Sequence, residues 1–249
     1  MTELLHNFEP YILNDTNMQS YLKYKFSDLS ESKSKTKKEH KNEKKTVTKT
    51  PSLFIPREQD SLFWCYYIIK NGDIQYEMLK NRNIVTTKQL KIDLVSKIRE
   101  NKPTIKTYKF DTISNLESNL ANDNNISIKT FMTLFAIDNI NIIFISKKTY
   151  FELLTNDSGI TYIIREIDNS QLKYNKQYGY EIATEELLNE VRSNLYKVDS
   201  LDKPIKGLSS YKVSDLLNIA NKLAIEVINK ENGKNKTKNE LYESIIQYF

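Results

Sequence analysis

The chain contains one cysteine, two histidines, five glycines, five prolines and one tryptophan in 249 residues. Each scarcity removes a class of chemistry. A single thiol, Cys65, can form neither an internal disulfide framework nor a cysteine-based zinc site. Both histidines, His6 and His40, lie near the N-terminus, so a histidine general base is hard to build in the rest of the chain. So few glycines leave little room for a phosphate-cradling loop, and no G-x-x-x-x-G-K-[ST], G-x-G-x-x-G or H-E-x-x-H pattern occurs. No apolar run approaches the roughly 18 residues needed to cross a bilayer. The first apolar residues, Leu4, Leu5 and Phe8, are interrupted by His6, Asn7 and Glu9, unlike a signal peptide. The expectation is a chain without cofactor, without metal and without a membrane span.

What is plentiful is lysine (32), isoleucine (28) and asparagine (26). All three are spelled by AT-rich codons, so Lys-rich stretches carry less functional weight than they would elsewhere. Hydrophobic residues make up 39% of the chain, enough for a packed core. Net charge is +5, and residues 31–49 alone supply eight lysines against three glutamates. The remainder is balanced, apart from a surplus of positive charge in residues 203–249. Basic character is thus confined to a low-complexity segment and to the C-terminal piece, where contact with phosphates would need it.

Four regions follow. Residues 1–30 carry apolar positions such as Met18, Tyr21, Leu22 and Phe26, spaced as a short amphipathic helix that could dock on the body or on a partner. Residues 31–52 hold one apolar residue before Pro51, Val47, and read as a disordered linker. Residues 53–202 form the body. There Asp60 reads as a helix cap for Ser61-Leu-Phe-Trp-Cys-Tyr-Tyr-Ile-Ile-Lys70, with Asn71-Gly72 as the stop, and a segment apolar on nearly all sides reads as a central buried helix, a buried strand being the alternative. Further helices are expected near 73–81, 87–101 (Leu90, Ile92, Leu94, Val95, Ile98, with Thr86 or Thr87 as cap), 113–121 and 128–137 behind Ser127, with Pro103 separating the second pair. Asn141-Ile-Ile-Phe-Ile145 reads as a buried strand. Residues 149–154 and 160–167, around Asn156-Asp-Ser-Gly159, read as a β-hairpin. An edge strand is expected over 174–180 and a helix over 184–195 behind Thr184. The fold class expected is α+β: a helical half, then a small antiparallel sheet, then a small all-α unit at residues 203–249.

In that last unit Val213, Leu216, Leu217, Ala220 and Leu223 form one stripe, and Leu241, Tyr242, Ile245 and Ile246 form another beyond a polar loop. Leu216, Ala220, Leu223, Ile225, Lys238, Leu241 and Ile245 resemble the pattern of helix-extended-helix modules, the SAP motif and still more the Rho N-terminal motif. Ala224 departs from the usual glycine, and the loop over 228–237 is longer than in a SAP motif. The resemblance implies nucleic-acid binding, DNA before RNA, through the basic start of the second helix. Lys234, Lys236 and Lys238 occupy that place, with Lys212 ahead of the first helix.

In the body, Asp60-Ser61-Leu62-Phe63 before a buried helix resembles the OTU-type papain-like cysteine proteases. Ser61 stands where a cysteine would act, and no histidine follows Cys65, so an inactive scaffold is implied. The stretch from Ile55 to Lys70 followed by a SAP-like end also resembles proteins of nucleocytoplasmic large DNA viruses, which implies a viral factory in the host cytoplasm or the virion. The reading that emerges is a non-enzymatic, nucleic-acid-associated viral protein whose body is an interaction platform. The alternative is a virion scaffold, with a viral partner bound by residues 1–30 or by the body.

Overall fold

The computed structural model describes residues 53–167, 176–229 and 233–249. The expected N-terminal amphipathic helix and the Lys-rich linker lie outside the described residues. Those described form nine helices and a five-stranded mixed sheet, an α+β arrangement in which helices precede the sheet and two more helices close the chain.

Helix α1 (Ser61–Asn71) is held at its start by Asp60, whose carboxylate accepts from Phe63 N, and it ends at Gly72 with φ 88°. Leu62, Phe63, Trp64, Cys65, Tyr66 and Ile68 are all buried. Each large apolar side chain removed from water contributes about 1.5–3 kcal/mol, so α1 is the axis of the main core. Around it run α2 (Asp73–Met78), α3 (Ile84–Glu100), α4 (Lys102–Tyr108), α5 (Ile113–Asn122) and α6 (Ile128–Asp138). Asn83, Thr112 and Ser127 cap α3, α5 and α6 through their side chains, so α3 begins ahead of Thr86 and Thr87, where the sequence placed its cap; the Asn83 carboxamide accepts from Thr86 N and starts the helix earlier. Helix α4 was not foreseen: Pro103, read as a separator, sits in its first turn, where a missing N–H costs nothing. Asp138, at the end of α6, accepts from Tyr66 Oη (2.8 Å), Lys70 Nζ (2.7 Å) and Lys97 Nζ (2.6 Å), joining α1, α3 and α6. Burial alone would raise that carboxyl, but the three donors outweigh it and hold Asp138 below its ordinary value.

The strands are β1 (Asn141–Ser146), β2 (Thr149–Leu153), β3 (Thr161–Ile167), β4 (Gln177–Ile182) and β5 (Tyr196–Lys197), in the order β4-β3-β1-β2-β5. The sheet is mixed rather than antiparallel. β1 pairs antiparallel with β2 and parallel with β3, and β2 pairs parallel with β5. The expected hairpin over 149–167 does not form. The hairpin is β1–β2, turned by Lys147 (φ 51°) and Lys148, and β3 returns to the far side of β1. The buried Asn141 anchors that return. Its Oδ1 accepts from Thr155 N (2.7 Å) and Asn156 N (2.9 Å) in the loop that leads from β2 to β3.

β1 is apolar on both faces because both are covered. Ile142 and Phe144 join the core around α1, whereas Ile143 and Ile145 pack with Ile163, Tyr150 and Val191 of helix α7 (Glu185–Asn194). β4 is an edge strand, and other parts of the chain cover it. Phe54 exchanges two backbone hydrogen bonds with Tyr180, both 2.9 Å. Gly179 lies under that contact, where a β-carbon would meet the Phe54 carbonyl oxygen at 2.9 Å.

The C-terminal unit has its own core. Helices α8 (Val213–Lys222) and α9 (Lys238–Tyr248) bury Leu216, Ile219, Ala220, Leu223, Leu241 and Ile245 against each other. Val213 and Ile246, expected inside, are exposed, and Ile219 takes an inward place. Between the helices, Lys236 N donates to Val227 O and Asn229 N to Lys234 O (both 2.9 Å), which ties the chain leaving α8 to the chain entering α9. The unit touches the body where Lys148 N donates to Tyr248 Oη (3.0 Å) and where Tyr196 joins its core.

Ala224, noted in the sequence as replacing a glycine, has φ 56°. A β-carbon in the left-handed region costs roughly 1–2 kcal/mol. Ala224→Gly is therefore expected to stabilise the C-terminal unit by up to about 1 kcal/mol, once the added freedom of the unfolded chain is subtracted. Urea unfolding followed by circular dichroism checks this; a lower midpoint for Ala224→Gly would contradict it.

Candidate functional site

The start of α1 is built as a structural joint. Asp60 Oδ1 accepts from Phe63 N (3.2 Å), and Oδ2 accepts from Ile126 N (3.0 Å) and pairs with Lys91 Nζ (2.5 Å). Burial raises the Asp60 carboxyl from its ordinary value, while the ammonium and the two amides work against the rise. Ser61 Oγ accepts from Tyr178 N (2.9 Å), and Cys65 Sγ donates to Tyr178 O (3.5 Å). Ser61 and Cys65 thus occupy both backbone groups of one residue on β4. Burial, reinforced by the Asp60 charge, pushes the Cys65 thiol well above its usual range, the opposite of an activated nucleophile.

The four lysines singled out from the sequence fall into two places. Lys212 is the exposed residue just before α8, and its N–H donates to Asp215 Oδ2 (2.8 Å). Lys234 is exposed and Lys238 half-buried, one in the connecting loop and one at the first position of α9. Lys236 differs, because its ammonium donates to Ser244 Oγ (3.0 Å) on α9 and is thereby drawn along the helix. The amides that a phosphate would seek at the start of α9 are partly taken. Thr237 Oγ1 accepts from Glu240 N (3.4 Å), and the Glu240 carboxylate accepts from Thr237 N (2.7 Å). Glu226, Glu240 and Glu243 share one hollow with Lys236. Of the four lysines, Lys212 and Lys234 are exposed, and the same unit also exposes Lys203, Lys206 and Lys222. The carboxylates Asp73, Glu77 and Asp93 are exposed.

One concave feature escaped the sequence. Residues 57–60, 82–91 and 123–124 enclose a groove of about 510 Å³. Arg57 and Lys88 stand exposed on it. Arg82 pairs with Glu58 (2.7 Å), donates to Tyr76 O (2.9 Å) and lies 4.1 Å from the centre of the Tyr76 ring. Tyr76 Oη donates to Glu58 at 3.0 Å, and burial together with that carboxylate pushes the phenol up to about 12. Lys91, 1% exposed, reaches Asp60 and the carbonyl of Asn124 (2.8 Å). Trp64, also lining the groove, is fully buried, and its Nε1 has no hydrogen-bond partner among the described residues. The available signal was Lys91, which falls in register with the inward Val95 and Ile98, whereas Ile92 points outward at 49% exposure.

Among the described residues no helix is long and apolar enough to cross a membrane. No protein-family model, no curated protein and no solved structure matches the chain.

Proposed function

We propose that the chain is a non-enzymatic, nucleic-acid-associated protein that touches DNA or RNA through its C-terminal unit, with the body as a platform for other contacts. The observation that supports this reading is a separately packed two-helix unit that carries Lys212, Lys234 and Lys238 on its surface. The start of α1 supports the non-enzymatic part, since Ser61 and Cys65 both serve β4.

Three phosphate contacts give a shallow salt dependence, with log affinity falling by about 2–3 per decade of salt. Fluorescence anisotropy of the full chain on duplex DNA and on single-stranded RNA, over a salt series, tests this. Replacing Lys212, Lys234 and Lys238 together by Gln is expected to flatten the slope and leave helical content intact, whereas Lys236→Gln changes it little. No binding to either nucleic acid at low salt would discard the reading. A second reading, a scaffold in a larger assembly such as a virion, is favoured by the exposure of Ile74 (76%), Met78 (68%), Ile84 (63%) and Val85 (75%) on one short stretch of the body.

A further inference from the structure

The groove beside α3 has surplus positive charge at its rim. Two of its three carboxylates are ion-paired, Glu58 with Arg82 and Asp60 with Lys91, while Asp123 accepts from the neutral Asn119 Nδ2 (2.6 Å) and keeps its charge, so four cations face three carboxylates. Arg82 and Lys91 are consumed in those pairs. Arg57 and Lys88 have no carboxylate partner among the described residues. The groove also takes in the first turn of α3, a 17-residue helix. Asn83 Oδ1 accepts from Thr86 N (2.9 Å), and Thr87 N donates to Asn83 O (3.0 Å). The amides of Ile84 and Val85, the first two of the helix, can have no partner within it. A helix start alone would say little. Here it coincides with two cations that have no carboxylate partner among the described residues, a concavity of ligand size and, on its wall, the Trp64 indole N–H, which has no acceptor among the described residues. Buried indole donors ordinarily have an acceptor.

The chemistry selects among anions. Two cations and two amides offer more donors than the two oxygens of a carboxylate can use, and they suit the three terminal oxygens of a phosphomonoester dianion. The exposed side chains of Ile84 and Val85 flank the same turn, so a ligand with an apolar portion beside its phosphate covers them. We propose that this groove binds a small phosphomonoester, its dianion between Arg57, Lys88 and the first turn of α3, its apolar portion against Ile84 and Val85. The site is remote in sequence from the C-terminal lysines and does not depend on the nucleic-acid reading.

Isothermal titration of the full chain with phenyl phosphate, inorganic phosphate, benzoate and phenol tests it. Phenyl phosphate is expected to bind more tightly than inorganic phosphate, and both more tightly than benzoate, with no heat from phenol. Arg57→Gln with Lys88→Gln is expected to weaken phenyl phosphate at least tenfold. Both side chains are exposed, so the fold should persist, and an unchanged near-ultraviolet spectrum verifies that. Ile84→Ala with Val85→Ala is expected to bring phenyl phosphate down to the affinity of inorganic phosphate. The variant lacking Lys212, Lys234 and Lys238 is expected to bind like the parent. Three results would overturn the proposal: no saturable binding of phenyl phosphate up to about 10 mM, a range that already admits very weak complexes; equal binding by the Arg57/Lys88 variant; or loss of binding in the C-terminal lysine variant.

Discussion

Lys91→Ala is expected to destabilise the body by about 3–5 kcal/mol, the usual cost of removing one partner from a buried ion pair. The reason is the Asp60 carboxylate, 4% exposed, which would lose its ammonium at 2.5 Å and keep only the amides of Phe63 and Ile126. The carbonyl of Asn124 would lose its donor as well. Asp60 both caps α1 and holds the chain at Ile126, so the damage falls on the axis of the core. Lys91→Met preserves most of the volume and should cost nearly as much, which separates lost charge pairing from lost packing. Since whole domains are stable by about 5–15 kcal/mol, either variant should unfold far more readily in urea. Trp64, the only tryptophan and fully buried in that core, reports the transition by fluorescence. A loss below about 1 kcal/mol, typical of a solvated pair, would contradict the buried placement of Lys91.

Leu216→Asp is the second large effect. Leu216 is 0% exposed between α8 and α9, and a carboxylate there has no cation to meet. The expected cost exceeds about 4 kcal/mol, more than a two-helix unit can absorb, so α8 and α9 should melt together. The body should remain folded, because its core is a separate set of side chains. The measurement pairs far-ultraviolet circular dichroism with Trp64 emission. Helical signal should fall while the tryptophan stays buried, and proteases should cut within residues 203–249. If the Trp64 emission shifts too, the unit and the body unfold as one.

Much of the helical half was legible because caps and stripes are local. Asp60 with Gly72, Ser127 and Thr184 each marked a boundary that the structure keeps. The sheet was legible as strands but not as pairings. Asn156-Asp-Ser-Gly159 looks like a hairpin turn and Lys147-Lys148 does not, yet the tight turn forms at the lysines, with Lys147 in the left-handed region. Parallel partners ordinarily need a long connection. Here β2 itself is the return leg between β1 and β3, an arrangement that no local spacing reveals. In the C-terminal unit the apolar stripes foretold the core, and the glycine-like site at Ala224 was visible as an anomaly before its φ was known. The groove was out of reach, because it joins three separated stretches and hides a lysine on a core-facing stripe.

The covering of β4 has a consequence for how this chain can meet other proteins. Ser61 and Cys65 take the backbone groups of Tyr178, and Phe54 takes those of Tyr180, while the opposite border of the sheet is β5, only two residues long. Among the described residues a partner therefore finds only short stretches of ladder to extend, such as β2 beyond Tyr150. Recognition by strand addition, in which main-chain bonds supply affinity with little regard to sequence, has little to build on along β4. The same covering hinders two copies of the chain from templating each other along that edge. What binds beside β4 must read side chains, and so must be chosen by shape and charge.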